Sequence, residues 1–180
     1  MTKEAPPAYY DDVFAPVGKY ERGREHYYAW AIHTVHALQL HNLLGLEIGC
    51  GPGGFLEMGM HDNLRLEGID FSQEAVIQSR TRTHYPVHHI PFQEFQEWDR
   101  FQYYVILETL EHLEDDIGLL RRIPVGSWVI GSVPNRRDPS HIRQFPGIPA
   151  VQERYQPVLD NMVAVQLHPT LFGFFGRVKP

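Results

Sequence analysis

Residues 43–54 read Leu43-Leu44-Gly45-Leu46-Glu47-Ile48-Gly49-Cys50-Gly51-Pro52-Gly53-Gly54. A short apolar run that ends in clustered glycines reads as a buried strand opening onto a turn. Glycine tolerates positive φ and lets a ligand approach the backbone closely. In an open α/β sheet such a turn lies at the carboxyl ends of the strands, where ligands bind.

Working outward, further strands are expected at 64–70 (LRLEGID), 86–91 (PVHHIP), 102–108 (QYYVILE, rich in aromatic and β-branched residues) and 127–134 (SWVIGSVP). Between them, 72–82 reads as a helix capped by Ser72, and 108–123 as a helix in two pieces. This alternation calls for parallel βαβ units with helices on both faces of the sheet. Upstream, 22–40 carries Tyr28, Ile32, Val35 and Leu38 at helical spacing, and the first twenty residues, with Pro6, Pro7, Pro16 and Gly18, read as an irregular lead-in. The end differs: MVAVQLHP (162–169) and LFGFFGRV (171–178) are too close for a crossover and must pair as an antiparallel hairpin.

With 180 residues, 43% of them hydrophobic, the chain is expected to form one domain, 1–40 an N-terminal substrate-side segment and helix and 41–180 a cofactor-binding core. A formal net charge of −6 and scattered basic residues argue against duplex nucleic acid as the partner. The single cysteine excludes an internal disulfide, and neither a signal peptide nor an apolar run long enough to span a bilayer is read, so a cytoplasmic location away from membranes is expected.

Two cofactors compete for the glycine turn. Gly49, Gly51 and Gly54 satisfy the G-x-G-x-x-G spacing of dinucleotide binders, with Asp70 near the distance of a ribose-binding acid, which would make the chain a nicotinamide-dependent oxidoreductase. Glu47, Gly49, Gly51 and Gly53 equally satisfy E-x-G-x-G-x-G. Glu47 favours the second reading. A carboxylate beside a pyrophosphate repels it, whereas S-adenosylmethionine has no phosphate and presents an ammonium and a sulfonium.

On LEIGCGPGGFL, LEGIDFS, YVILETLEHLEDD, and GSWVIGSVPN followed by HIRQF, the chain resembles the class I methyltransferases, specifically the group carrying the methyltransferase domain of types 11 and 23, over roughly residues 40–145. The resemblance implies a Rossmann-like seven-stranded, mostly parallel sheet of order 3-2-1-4-5-7-6 with its last strand antiparallel. It implies S-adenosylmethionine as cofactor, with Gly49, Cys50, Gly51 and Gly53 lining its methionine part and Glu47 near its amino group. Asp70 would accept from the ribose hydroxyls, Phe71 would pack on the adenine, and His89 and Ile90 would stand at the adenine edge, where the family usually has an acid that this sequence lacks. Glu108 would sit beside the methyl donor. Each residue also has a plain structural reading: Asp70 as a helix cap, Phe71 as core, Cys50 as a small packing residue, Glu111 as a solvated helix position.

Methyl transfer to a hydroxyl needs alignment and a base, and of the eleven histidines His112 and His141 fall on segments that should rim the methyl end. O-methylation of a small-molecule acceptor, by in-line displacement with His112, His141 or Glu108 as base, is therefore expected. The acceptor pocket would be built from the segment around Tyr9–Tyr28 and the 135–150 loop, either open or completed by a partner chain in a homodimer. An inactive cofactor-binding fold serving a partner is the alternative. Glu108-Thr109-Leu110-Glu111-His112 has the form E-x-x-E-H, and with His141 it resembles the metal site of ribose-methylating enzymes that act on small-RNA ends. Those enzymes have a richer histidine motif than SHIRQF, and L-E-H-L is common without metal, so no metal ligand is assigned.

Overall fold

The computed structural model describes residues 3–18, 20 and 23–180, so residues 1, 2, 19, 21 and 22 of the expected N-terminal segment lie outside the described residues. Thirteen principal elements follow in order: α1 (Pro7–Phe14), α2 (Glu25–Ala37), β1 (Leu44–Ile48), α3 (Gly54–His61), β2 (Arg65–Asp70), α4 (Gln73–Arg82), β3 (Val87–His89), β4 (Tyr103–Leu107), α5 (Asp116–Arg122), β5 (Trp128–Pro134), α6 (Ile148–Tyr155), β6 (Leu159–His168) and β7 (Leu171–Val178). The strands form one seven-stranded sheet of order β3-β2-β1-β4-β5-β7-β6. β1 to β5 pair in parallel, and β7 runs antiparallel between β5 and β6. The order, the parallel body and the terminal hairpin agree with expectation.

Strand alternation builds the two cores. Leu46, Ile48, Tyr104 and Ile106 point to the face covered by α5 and α6, where Leu119, Leu120, Val151 and Tyr155 are buried. Tyr103, Val105 and Leu66 point to the opposite face, under Tyr28, Ile32 and Val35 of α2, Phe55 and Leu56 of α3 and Val76 of α4. The wedge of β7 beside β5 depends on a size match: Gly131 faces Phe174, whose ring fills the space a Cβ would need and stacks on Tyr155 at 5.0 Å.

Three local readings are corrected. The lead-in is not irregular: α1 forms because Pro7 stands in its first turn, where a missing N–H costs nothing. The 135–150 loop already enters α6 at Ile148, again with a proline, Pro149, in the first turn. The 22–40 helix is shorter, starting after the left-handed Gly23 and ending before the left-handed Gln39. The 108–123 helix is in two pieces, a 3₁₀ turn at Leu110–His112 and then α5, which Asp115 caps by accepting from the Gly118 N–H at 2.8 Å.

Candidate functional site

The turn after β1 is fastened to the end of β2. The N–H groups of Gly49 and Cys50 both donate to the Ile69 carbonyl, at 2.9 and 3.1 Å. Gly49 and Gly51 have φ of +71° and +52°, and a Cβ on Gly49 would collide with the Thr109 side chain. Asp70 closes the arrangement: one carboxylate oxygen accepts from the Gly51 N–H at 2.9 Å, the other from the Ser72 N–H at 2.8 Å. Burial pushes the Asp70 carboxyl up to about 6, against the pull of these backbone donors. Ser72 caps α4 through its hydroxyl, so Asp70 is not the helix cap.

Above this turn lies a cleft of about 650 Å³, lined by Glu47, Gly49, Cys50, Gly51, Asp70, Phe71, Glu108 and His112 and roofed by Tyr10, Phe14, Tyr20, Arg24 and Tyr27. It continues past Phe71 into a second lobe of about 380 Å³ walled by Ile48, Ile69, Ile90 and Phe92. Glu47, at the end of β1, is buried and belongs to the lining. Cys50 is also buried, and burial pushes its thiol up, which keeps it protonated and inert. His89 and Gly53 line neither lobe. His89 stands exposed with Nε2 at 3.0 Å from the Phe71 carbonyl, and Gly53 backs onto Ser79.

The roof is held from two sides. Asp11 of α1 accepts from the Ser72 hydroxyl at 2.6 Å and from the Glu74 N–H at 3.1 Å, so α1 docks on the positive end of α4. Gln78 donates to the Phe14 carbonyl at 2.7 Å. On the other side, Arg24 lies 3.9 Å above the Tyr20 ring and its Nη1 pairs with Glu108, which also accepts from the Tyr27 hydroxyl at 2.8 Å. Glu108 has φ of +46°, with its N–H on the Ser132 carbonyl at 3.0 Å. The pocket, expected to be either open or completed by a partner chain, is roofed here by residues of the chain's own N-terminal segment, as its expected lining by the Tyr9–Tyr28 stretch requires. Arg24 was not singled out from the sequence, although its one-turn spacing to Tyr27 and Tyr28 puts all three on one helical face.

His112 and His141 come together at this mouth, their rings 4.8 Å apart. The loop after β5 is responsible. Ile142 N–H donates to the Glu111 carbonyl at 2.9 Å, and the Arg143 guanidinium donates to the carbonyls of Leu110 and Leu113 at 2.6 and 2.5 Å. His112 is pushed down to about 4 by burial, so it is neutral at pH 7, and burial lowers His141 as well. Glu111 is fully buried rather than solvated, and burial with Glu108 nearby raises its carboxyl well above the ordinary range.

No protein-family model and no curated protein sequence matches the chain. Solved structures do. Magnesium protoporphyrin IX methyltransferase of Synechocystis PCC 6803, with bound S-adenosylmethionine, is 13% identical and superposes with a TM-score of 0.69 over 97% of this chain and 97% of that one. The chain has the class I methyltransferase fold. Two further structures carry that fold with the cofactor product. The N-methyltransferase NodS of Bradyrhizobium japonicum, in complex with S-adenosylhomocysteine, is 19% identical with a TM-score of 0.63 over 92% and 90% of the two chains. A Burkholderia thailandensis methyltransferase, solved with 1,6-didemethyltoxoflavin and S-adenosylhomocysteine, is 17% identical with a TM-score of 0.67 over 98% and 92%. Among the described residues, no helix of this methyltransferase fold is long and apolar enough to cross a membrane.

Proposed function

We propose that the chain is an S-adenosylmethionine-dependent methyltransferase that methylates a hydroxyl oxygen of a small-molecule acceptor. One observation carries the choice of cofactor: Glu47, buried beside the glycine turn, lines the cleft above it. A pyrophosphate seated there would meet a fixed anion, and one such contact at ~4 Å costs about 4 kcal/mol at the effective dielectric of a protein surface. The ammonium and sulfonium of S-adenosylmethionine reverse the sign. The solved neighbours with this cofactor or its product in the same fold support the assignment.

In this reading the methionine part lies over Gly49, Cys50 and Gly51 with its amino group toward Glu47, and Asp70 accepts from the ribose hydroxyls. Gly53 shapes the turn from behind. The adenine enters the lobe between Phe71 and Ile90, and His89 braces Phe71 through its backbone. The sulfonium methyl points toward Glu108 and His112. Nδ1 of His112 lies 3.1 Å from the Ser140 carbonyl, which can only accept, so Nδ1 carries the proton and Nε2 is left as the proton acceptor. The acceptor oxygen bonds to the methyl carbon, the carbon–sulfur pair returns to sulfur, and the acceptor proton passes to His112 or His141. Glu108, held by Arg24 and Tyr27, positions the donor end. The lone Cys50 suits a cytoplasmic setting.

Incubation with methyl-labelled S-adenosylmethionine and matched hydroxyl and amine acceptors tests the reaction. Label transferred to hydroxyl acceptors is expected. Transfer to amines alone overturns the O-methylation assignment, and cofactor binding without turnover on any acceptor marks the inactive alternative.

A further inference from the structure

We propose that the acceptor is a small hydroxyaryl carboxylate whose anionic end sits against Arg136 and His168, in a space beside the reacting mouth. That space, of about 590 Å³, is lined by Arg24, His26, Glu108, Arg136, His168 and Thr170 among others. It adjoins a second space, of about 570 Å³, that holds His112 and His141 beside Tyr9, Tyr10 and Tyr20. Arg24, Glu108 and Arg136 line both, so one small molecule can reach from one into the other. The reacting end is the one given by the methyltransferase reading, on which the acceptor class rests.

Charge decides which end of the acceptor goes where. The histidine space is bounded by Glu108, Glu111 and Asp138, acidic side chains that disfavour an anion there, and its tyrosine rings suit an aryl group. In the other space Glu108 is the one carboxylate among the lining residues, and Arg24 is already engaged with it. Arg24 also donates to the Tyr27 hydroxyl at 2.6 Å and to the Tyr20 carbonyl at 2.7 Å. The half-exposed Arg136 guanidinium stands 3.9 Å from Oε1 of Glu108, too far for a hydrogen bond, so its planar fork can meet a carboxylate with two parallel bonds. Two guanidinium charges against one carboxylate leave a single positive charge, which matches a carboxylate rather than a dianionic phosphate.

His168 adds a donor. The Thr170 N–H donates to its Nδ1 at 3.4 Å, and the Thr170 hydroxyl lies 3.1 Å from the same nitrogen. Nδ1 therefore accepts, and the ring proton is on Nε2. The turn that carries His168 is fixed beside Arg136, because the Asn135 N–H donates to the Thr170 carbonyl at 2.7 Å. Arg136 links the two ends of the acceptor: its carbonyl accepts from Nδ1 of His141 at 3.1 Å, while its side chain lines the anion space. Nε2 of His112 and of His141 both stay open to the acceptor proton.

The test is calorimetric titration of protein saturated with S-adenosylhomocysteine, using hydroxybenzoate, hydroxyphenylacetate and hydroxycinnamate, each beside its primary amide. At least one carboxylate is expected to bind ~10-fold or more tightly than its amide, as a charge-assisted pair requires. That preference should vanish in Arg136→Gln, shrink in His168→Ala, survive in part in Arg136→Lys, and be unchanged in Arg121→Gln on α5, which lines neither space. Equal affinity for carboxylates and amides, a preference unchanged in Arg136→Gln, or no binding of any of these carboxylates overturns the seat. S-adenosylhomocysteine bound without a carboxylate preference sinks the acceptor class alone. Failure of S-adenosylhomocysteine to bind sinks the methyltransferase reading, and titration of the cofactor-free protein with the same pairs then judges the anion seat by the same criteria.

Discussion

Arg24 and Glu108, 84 residues apart in sequence, form an ion pair that ties the N-cap of α2 to the residue following β4 across the mouth of the cleft. Their side chains are only 15% and 10% exposed. Removing Arg24 leaves the Glu108 carboxylate with the Tyr27 hydroxyl and only the more distant, half-exposed Arg136 guanidinium at 3.9 Å. Arg24→Met is expected to lower unfolding stability by about 3 kcal/mol in a denaturant melt. Arg24→Met combined with Glu108→Gln should recover most of that loss, because no uncompensated carboxylate then remains. Additive losses in the double variant would mean that the pair contributes nothing through its charge.

Asp70 predicts how cofactor affinity responds to pH. Its folded-state value is raised to about 6 by burial, so the free protein protonates it as pH falls through that value. The ribose hydroxyls need the ionised carboxylate as acceptor. Affinity for S-adenosylhomocysteine should be flat above pH 7 and fall by up to about tenfold per unit below 6. The thermal shift the ligand produces should shrink over the same interval. Asp70→Asn should bind weakly at every pH, without that slope.

The Asp11 clasp makes a kinetic prediction. Asp11 accepts from Ser72 and Glu74, and the Ser72 hydroxyl bond holds its carboxyl below the ordinary range. The clasp is therefore intact across neutral pH and is lost only as pH falls through that depressed value. Asp11→Ala frees α1 from α4 without touching the turn below. Stopped-flow release of S-adenosylhomocysteine should quicken several-fold in this variant, with global stability nearly unchanged. An unaltered release rate would mean that α1 does not gate the cleft.

Gly49→Ala introduces a Cβ at a left-handed position and against Thr109. The backbone penalty is about 1–2 kcal/mol, and the collision adds to it. Cofactor affinity measured by calorimetry should fall at least tenfold. Gly49→Ala with Thr109→Ala should recover part of it, because the second change makes room but leaves φ strained.

What could be read from the sequence follows from what local patterns encode. The strand alternation around Leu46–Ile48 and Tyr103–Leu107, the glycine turn and the closely spaced terminal runs specify the sheet and its hairpin, because side-chain period and turn chemistry are local properties. The helix α1 was hidden by Pro6 and Pro7, which read as breakers until one stands in a first turn. The roof was half visible: the Tyr9–Tyr28 stretch was expected over the pocket, yet its fastening by Asp11 on Ser72 and Arg24 on Glu108 joins residues 61 and 84 positions apart, beyond any periodicity. Glu111 reads as a surface helix residue, yet it is buried where Ile142 and Arg143 fold back onto the 3₁₀ turn, a contact between distant segments that no local pattern encodes. His112 and His141 were both expected to rim the methyl end, and the same loop brings their rings together.

The most direct measurement is a pair of calorimetric titrations, S-adenosylhomocysteine and a nicotinamide dinucleotide, on the wild type and on Glu47→Gln. The expected result is saturable binding of S-adenosylhomocysteine alone, weakened at least ~10-fold when the Glu47 charge is removed, as loss of a buried charge-assisted contact to an ammonium requires. Dinucleotide binding by the wild type with no response to S-adenosylhomocysteine, or S-adenosylhomocysteine affinity equal in both proteins, would contradict the account.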